Sequence, residues 1–304
     1  MGFYFGDTKI DNLPLDLENS NTVKKAVNDI KAVLAEKGVE VPEGTGLSDL
    51  SDMCRKLATL GELIEGTITE VADGNVNLIR DYAFSKCTSL TSADFPAATI
   101  VNGNAFANCT NLININLPAV NSVKSAAFGW CPNLTSANLP VVTSLESNAF
   151  CACSSLTSVD FPMLTSVGNT AFQNCTSLTS ANLPMVTSLG ADVFNGCQSL
   201  TSVDFPMLTS VGTRPFQNCT SLISVNLPMV TSMNSSSFQN CTSLTSVNLP
   251  ALTSIPGSTF YGCTGLTSVD FPAATSIGGT AFYNCKKLTS ADFPLAGTIE
   301  SSAF

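Results

Sequence analysis

Histidine is absent from all 304 residues. That removes the commonest general base, the usual partner of a nucleophilic Ser or Cys, and the commonest metal ligand. Charge is scarce as well: Asp, Glu, Lys and Arg together make up 12% of the chain, well below the share of an ordinary globular protein. No basic run exceeds a pair (Lys24-Lys25, Arg55-Lys56, Lys286-Lys287), and the net charge is −10. A nucleic-acid surface needs a cationic stripe to displace counterions from phosphates, so none is expected. Long apolar runs are missing too, and with them a membrane-spanning helix. The first residues, MGFYFGDTKIDNLPLDLEN, carry neither the basic stretch nor the apolar core of a secretory leader. The expectation is a chain made in the cytosol, or delivered by something other than the general secretory route. No paired carboxylates, nucleophile–base pair or phosphate loop stands out, so the chain is read as non-catalytic, without cofactor or metal.

What is present is repetition. Ten cysteines stand at a strict step of 22, from Cys87 through Cys109, Cys131 and onward to Cys285. Prolines keep the same step from Pro96 to Pro294, and phenylalanines from Phe84 to Phe304. The unit reads C-x-x-L-T-S-(V/A)-(D/N)-(F/L)-P-x-x-T-S-(I/V/L)-x-x-x-A-F-x-x. In Leu200-Thr-Ser-Val203-Asp-Phe205, the period of two turns Val203 and Phe205 inward and Ser202 and Asp204 outward. Pro206 ends that strand, having no N–H to donate. Val211 is a second inward anchor, and A-F-x-x-C is expected to form a tight helical or 3₁₀ turn with Phe and Cys facing the core. One such unit cannot bury its apolar side alone. Ten stacked at about 4.8 Å make a rod or arc of roughly 50 Å with Phe, Leu, Val and Cys ladders along it. The expected fold is a repeat solenoid, a leucine-rich-repeat β-solenoid of ten 22-residue coils over residues 67–304.

Residues 1–66 have a different texture. Val23, Val27, Ile30 and Leu34 recur at helical spacing and stop at Gly38; Leu50, Met53, Leu57 and Leu60 line a second helix after a Pro/Gly-rich linker. Two short helices make a meagre core, so this N-terminal module is expected to attach to something: the first coil, a second copy or another protein. Thr67 to Val71 is expected to be an irregular capping strand.

The coils, about residues 78–304, resemble the BspA-like class of bacterial leucine-rich repeat through their L-x-x-(V/A)-x-(F/L)-P and A-F-x-x-C signatures. The resemblance implies a curved solenoid used in adhesion and in binding protein or glycan, with no catalytic residues. The opening Tyr4-Phe-Gly-Asp-Thr-Lys-Ile10 and the segment Lys37 to Gly46 are similar to N-termini of tail and appendage proteins of phages and prophages. That likeness implies a virion component, multimeric and anchored to other virion proteins or to itself through residues 1–66, with the solenoid turned toward a host-surface protein or glycan. The alternatives are a bacterial surface adhesin and an intracellular interaction scaffold.

The sharpest candidate binding face is the outward strand row: Asp94, Asn116, Asn138, Asp160, Asn182, Asp204, Asn226, Asn248, Asp270 and Asp292. Like charges repel at this spacing, and only Asp270 and Asp292 are adjacent acids. A solvated polar ladder with diluted repulsion is the plain reading; a row for sugar hydroxyls or a protein is the functional one. The cysteine column is read as buried thiol rather than disulfide or metal site. Cys151, outside the column, is expected to be exposed. Trp130, Tyr261 and Tyr283 could stack on sugars. The residues before each A-F, such as Gly168-Asn-Thr and Gly190-Ala-Asp, vary as an unconstrained loop would.

Overall fold

The computed structural model describes residues 69–304, together with the backbone of two short strands, Tyr4–Phe5 and Thr8–Lys9, which pair antiparallel. The two-helix reading of residues 1–66 lies outside the described residues. From residue 69 onward the chain winds as a solenoid in which every 22 residues return to the same place on the next coil. Strand pairing is parallel and in register throughout, as in Ser158↔Ser180 and Asp160↔Asn182. The expected irregular cap is a regular rung: Glu70–Ala72 pairs with Ser92–Asp94.

Three columns of backbone hydrogen bonds tie the coils together. The main strand column carries the row of Asp and Asn. It is interrupted three times, after Ser136–Asn138, after Ser180–Asn182 and after Ser246–Asn248. The second column runs unbroken through seven strands, from Leu78–Ile79 to Ser210–Val211, and resumes at Ser254–Ile255. Its gap has a chemical cause. In the regular coils the residue after the inward anchor donates backward, as Gly212 N–H does to Leu189 O at 2.9 Å and Gly278 N–H to Ile255 O at 2.7 Å. Pro256 holds that position and has no N–H, while Asn234 reaches Val211 O with its side-chain amide at 3.1 Å.

The third column is the A-F turn, and here the expectation of a helical or 3₁₀ turn is corrected. No helix occurs among the described residues. The segment is a chain of β-turns: Ala83 N–H donates to Arg80 O, Ser85 to Tyr82 O and Cys87 to Phe84 O. Residues 82 and 86 have φ of 59° and 63°. Positive φ confined to the third residue of a turn marks type II geometry. The intervening amides point along the solenoid instead, Phe84 N–H to Ala105 O at 2.6 Å and Phe106 N–H to Ala127 O at 2.7 Å. A 3₁₀ helix would need those same donors for its own i→i+3 bonds. This column continues through every coil to Phe282 N–H and Ala303 O.

The segment before A-F is accordingly more constrained than a drifting loop. A Cβ on Gly190 would stand 2.6 Å from Asn169 N, and one on Gly212 would stand 2.4 Å from Gly190 C and O. In these coils the preceding coil's backbone occupies the space a side chain would need, whereas Asn102, Lys124, Glu146 and Pro256 fill the same position elsewhere.

Inside, Phe84, Phe106, Phe128 and their successors to Phe304 form one continuous ring stack. Neighbouring centroids lie 5.0 to 5.6 Å apart. The rings from Phe106 to Phe282 are fully buried or nearly so, which makes the stack the largest apolar contribution per coil.

Candidate functional site

The outward row stands where the period of two places it. Asp94, Asn138, Asp160, Asn182, Asp204, Asn248, Asp270 and Asp292 are exposed, while Asn116 and Asn226 are half-buried. The ten residues are not equivalent. Asn116 Nδ2 donates to Asp94 Oδ1 at 2.8 Å, and Asn138 Nδ2 to Asn116 Oδ1 at 2.6 Å. Asn182 donates to Asp160 at 2.7 Å. Asn226 donates to Asp204 at 2.8 Å, and Asn248 to Asn226 at 2.6 Å. Each bond runs from an amide to the coil before it. A carboxylate accepts but cannot donate, so Asp160, Asp204 and Asp270 cannot continue the chain backward.

The row is thus cut before Asp160, Asp204 and Asp270; Asp292 has no donor for Asp270 either, yet those two strands stay paired, so the missing donor does not set the cuts alone. These cuts coincide with the three interruptions of the main strand column. A second change falls at the same places: the inward residue after the row changes from Leu to Phe, as in Leu139 to Phe161, Leu183 to Phe205 and Leu249 to Phe271. Ala137, Ala181 and Val247, the inward residues just before each cut, are only half-buried. The coils part on this face wherever the donor is missing and the larger ring arrives.

Around the row, the polar surface is tied to backbone. Thr135 Oγ1 donates to Ile113 O at 3.0 Å, Thr179 to Thr157 O at 2.9 Å and Thr245 to Ile223 O at 3.2 Å. A second threonine column does the same, from Thr99 to Thr275. The scarcity of charge follows: the hydroxyls serve as inter-coil hydrogen bonds as well as solubilising groups. Ion pairs among the described residues join Lys124 to Glu146 at 3.0 Å and Arg214 to Asp192 at 2.9 Å; the Lys124 ammonium holds the Glu146 carboxyl below its ordinary range.

The cysteine column lies in the core. From Cys131 to Cys285 the sulfurs are free thiols, each donating to a phenylalanine carbonyl of the previous coil, as Cys131 Sγ does to Phe106 O at 3.1 Å. Burial pushes the Cys131 thiol up to about 12 and raises Cys153, Cys175, Cys197 and Cys241 well above the ordinary value. Cys151 is buried too, 6% exposed, which corrects the expectation of an exposed thiol. It lies on the A-F turn, whose residues pack against the coils on either side. No group of three or more His, Cys, Asp or Glu that could hold a metal ion occurs among the described residues.

The aromatic candidates do not converge. Tyr261 and Tyr283 stack on each other with centroids 5.4 Å apart, while Trp130 is exposed six coils away and in a neighbouring column. One exposed feature has no counterpart among the expectations. The residue after each proline forms a column of its own, in which Val141, Met163, Met185, Met207 and Met229 are 43 to 54% exposed. Its signal was a variable position occupied four times running by methionine.

A parallel in-register solenoid with an L-x-x-(V/A)-x-(F/L) strand defines a leucine-rich-repeat protein. The model for the BspA type leucine-rich repeat region matches residues 77–201 and 187–304, and the chain belongs to that family. No curated protein matches it in sequence. Among solved structures it is similar to a leucine-rich repeat protein from Bacteroides ovatus, with 24% identity and a TM-score of 0.58 over 78% of this chain and 73% of that one. A leucine rich cell surface protein from Faecalibacterium prausnitzii matches with 24% identity and a TM-score of 0.48, over 76% of this chain and 87% of that one. No helix among the described residues is long and apolar enough to cross a membrane.

Proposed function

We propose that this protein is a non-catalytic binding solenoid whose main strand face engages a host-surface protein or glycan. The observation that carries this reading is the row itself. Its polar groups stand on an exposed face, and each Asn-to-Asp bond leaves the second carboxylate oxygen of Asp94, Asp160 and Asp204 unused by the neighbouring asparagine. Acceptors and amide donors tied to one another within each run suit sugar hydroxyls and peptide groups, because those side chains are already ordered before binding. Family membership supports a BspA-like surface adhesin as the setting. A phage or prophage tail component, made in the bacterial cytoplasm and assembled as a homo-oligomer through residues 1–66, is the second setting, supported by the likeness of the N-terminal segment. Tail genes beside the coding sequence would favour the virion; their absence would favour the adhesin.

The face is tested by whole-cell and glycan-array binding of the full chain against a variant carrying Ala at Asp94, Asp160, Asp204, Asp270 and Asp292. Loss of at least tenfold in binding is expected, with the far-ultraviolet spectrum retained. Unchanged binding would sink the proposed face.

A further inference from the structure

The methionine column is long and bounded. Val141, Met163, Met185, Met207 and Met229 expose 43, 53, 47, 49 and 54% of their surface on five successive coils. Alanine holds the same position on either side, at Ala97 and Ala119 and again at Ala251 and Ala273, which separate the stripe from an exposed Leu295 on the last coil. The stripe therefore occupies the middle coils and stops at both ends. Together these side chains present a contiguous apolar area on the order of a few hundred Å², the range in which a patch on a soluble protein marks a binding surface. Methionine is the side chain suited to such a surface, being unbranched, polarizable and able to repack against more than one partner.

The geometry selects the shape of the partner. The stripe runs across the strands, so its rungs repeat at about 4.8 Å where the strands pair and somewhat more widely where the main column parts, between Val141 and Met163 and between Met185 and Met207. An α-helix laid along it presents apolar residues at i, i+3/i+4 and i+7, one ridge per turn of about 5.4 Å. The two repeats differ by about 0.6 Å per paired rung, so over four intervals the helix drifts by at most about half a rung. An extended strand presents alternate residues about 6.6 Å apart and loses register after two rungs. A helix of about four turns matches the five rungs.

Charge selects its flank. Between residues 151 and 240 the charged residues are Asp160, Asp192, Asp204 and Arg214. Asp192 and Arg214 pair with each other on the turn column. That leaves Asp160 and Asp204, three residues before Met163 and Met207 and exposed on the adjoining column. Each gives one carboxylate oxygen to an asparagine of the next coil and keeps the other. On the far side of the stripe Thr165, Thr187 and Thr209 donate to backbone. The two carboxylates stand two coils apart with one parting of the strand column between them, on the order of 10 Å, and residues seven apart on a helix are separated by about 10.5 Å.

We infer that the methionine stripe docks an amphipathic α-helix of a partner protein, apolar on one face and carrying Lys or Arg at two flanking positions seven residues apart. The inference rests on the binding-solenoid reading and narrows the partner at the middle coils to a protein helix with a basic flank.

The experiment uses the full chain and a synthetic helical peptide of about 18 residues, with Leu along one face and Lys at two flanking positions seven apart. Titration by anisotropy is compared with the same peptide carrying Glu at those two positions. Saturable binding by the Lys peptide is expected, at least tenfold weaker for the Glu peptide. Binding at least tenfold weaker is also expected for a variant with Met163→Gln, Met185→Gln, Met207→Gln and Met229→Gln. Asp160→Asn with Asp204→Asn lowers affinity about threefold or more, and leucine at the four methionine positions retains binding, which shows that apolar area rather than sulfur is recognised. Equal binding of the two peptides, or full binding by the glutamine variant, overturns the inference. So does a dimer of the unmodified chain that dissociates only in the glutamine variant, since the occupant is then a second copy. The glutamine variant leaves the Asp/Asn row intact, so failure here leaves the cell and glycan measurements to judge that row separately.

Discussion

At the scale of the residue, the turn column asks side chains to do what glycine and asparagine do best. Two positions in each coil hold φ between 54° and 77°. Asparagine tolerates this conformation, and it fills the second of the two positions at Asn108, Asn174, Asn218, Asn240 and Asn284. Trp130 and Ala152 hold it with φ of 58° and no local hydrogen bond from the side chain to offset the strain. An L residue in this region costs on the order of 1 kcal/mol. Ala152→Asn is therefore expected to stabilise the solenoid by about 1 kcal/mol. Urea denaturation of the variant and the parent checks it, and an unchanged or lower midpoint would contradict it. The second position was legible in the repeat, since Asn or Gly stands before the column cysteine in seven of ten coils, and those residues tolerate positive φ. The first was not, because Tyr82, Ala126, Thr170, Asp192 and Arg214 hold the same conformation with no shared residue type.

At the scale of the element, the main strand column and the turn column were equally regular in sequence and are unequal in structure. The alternation of Asp-Phe with Asn-Leu was visible, and so was the spacing that diluted the charge. That each Asp after an Asn ends a hydrogen-bonded run was not, because a donor count matters only once the side chains are known to touch. The consequence is measurable. Leu117 and Leu227 donate their amides to Asn138 O and Asn248 O at 3.0 Å. The equivalent amides of Leu139, Leu183 and Leu249 face the interruptions. Hydrogen exchange is expected to be faster at Leu139, Leu183 and Leu249 than at Leu117 and Leu227. Asp160→Asn combined with Phe161→Leu is expected to slow exchange at Leu139 by restoring the donor and the smaller side chain. Equal protection at all five leucines, or no change at Leu139 in the double variant, would show that these two residues do not set the break.

At the scale of the whole molecule, stability is distributed along the solenoid, each coil resting on its two neighbours. The thiols share that distribution. Burial raises their pKa in the folded chain above the ordinary value near 9, to about 12 at Cys131 and about 11 at Cys285. A group whose folded pKa is raised contributes stability that is present below the unfolded pKa and lost as pH rises toward the folded one. The melting temperature is therefore expected to fall as pH rises above about 9. Histidine is absent, so none of its titrations adds to the profile at neutral pH. Thermal melts across pH 6 to 11 check this, and replacing Cys197 and Cys219 by Ala is expected to flatten the alkaline limb. A melt equally steady at pH 11 would contradict it. The coil count, the ladders and the buried cysteines were all legible in the 22-residue step. The methionine stripe was not, since a surface column is recognised only when exposure is known.

The turn column and its ring stack run without a gap, while the opposite strand face parts in three places and the second column in one. A rod so constructed is expected to resist bending along the turn column more than along the strand face. Bending that opens the strand face would concentrate at Asp160, Asp204 and Asp270, where the pairing is already broken. A ligand bridging one of those seams would act as a brace, so occupancy of the face would be felt as a change in bending stiffness many coils away.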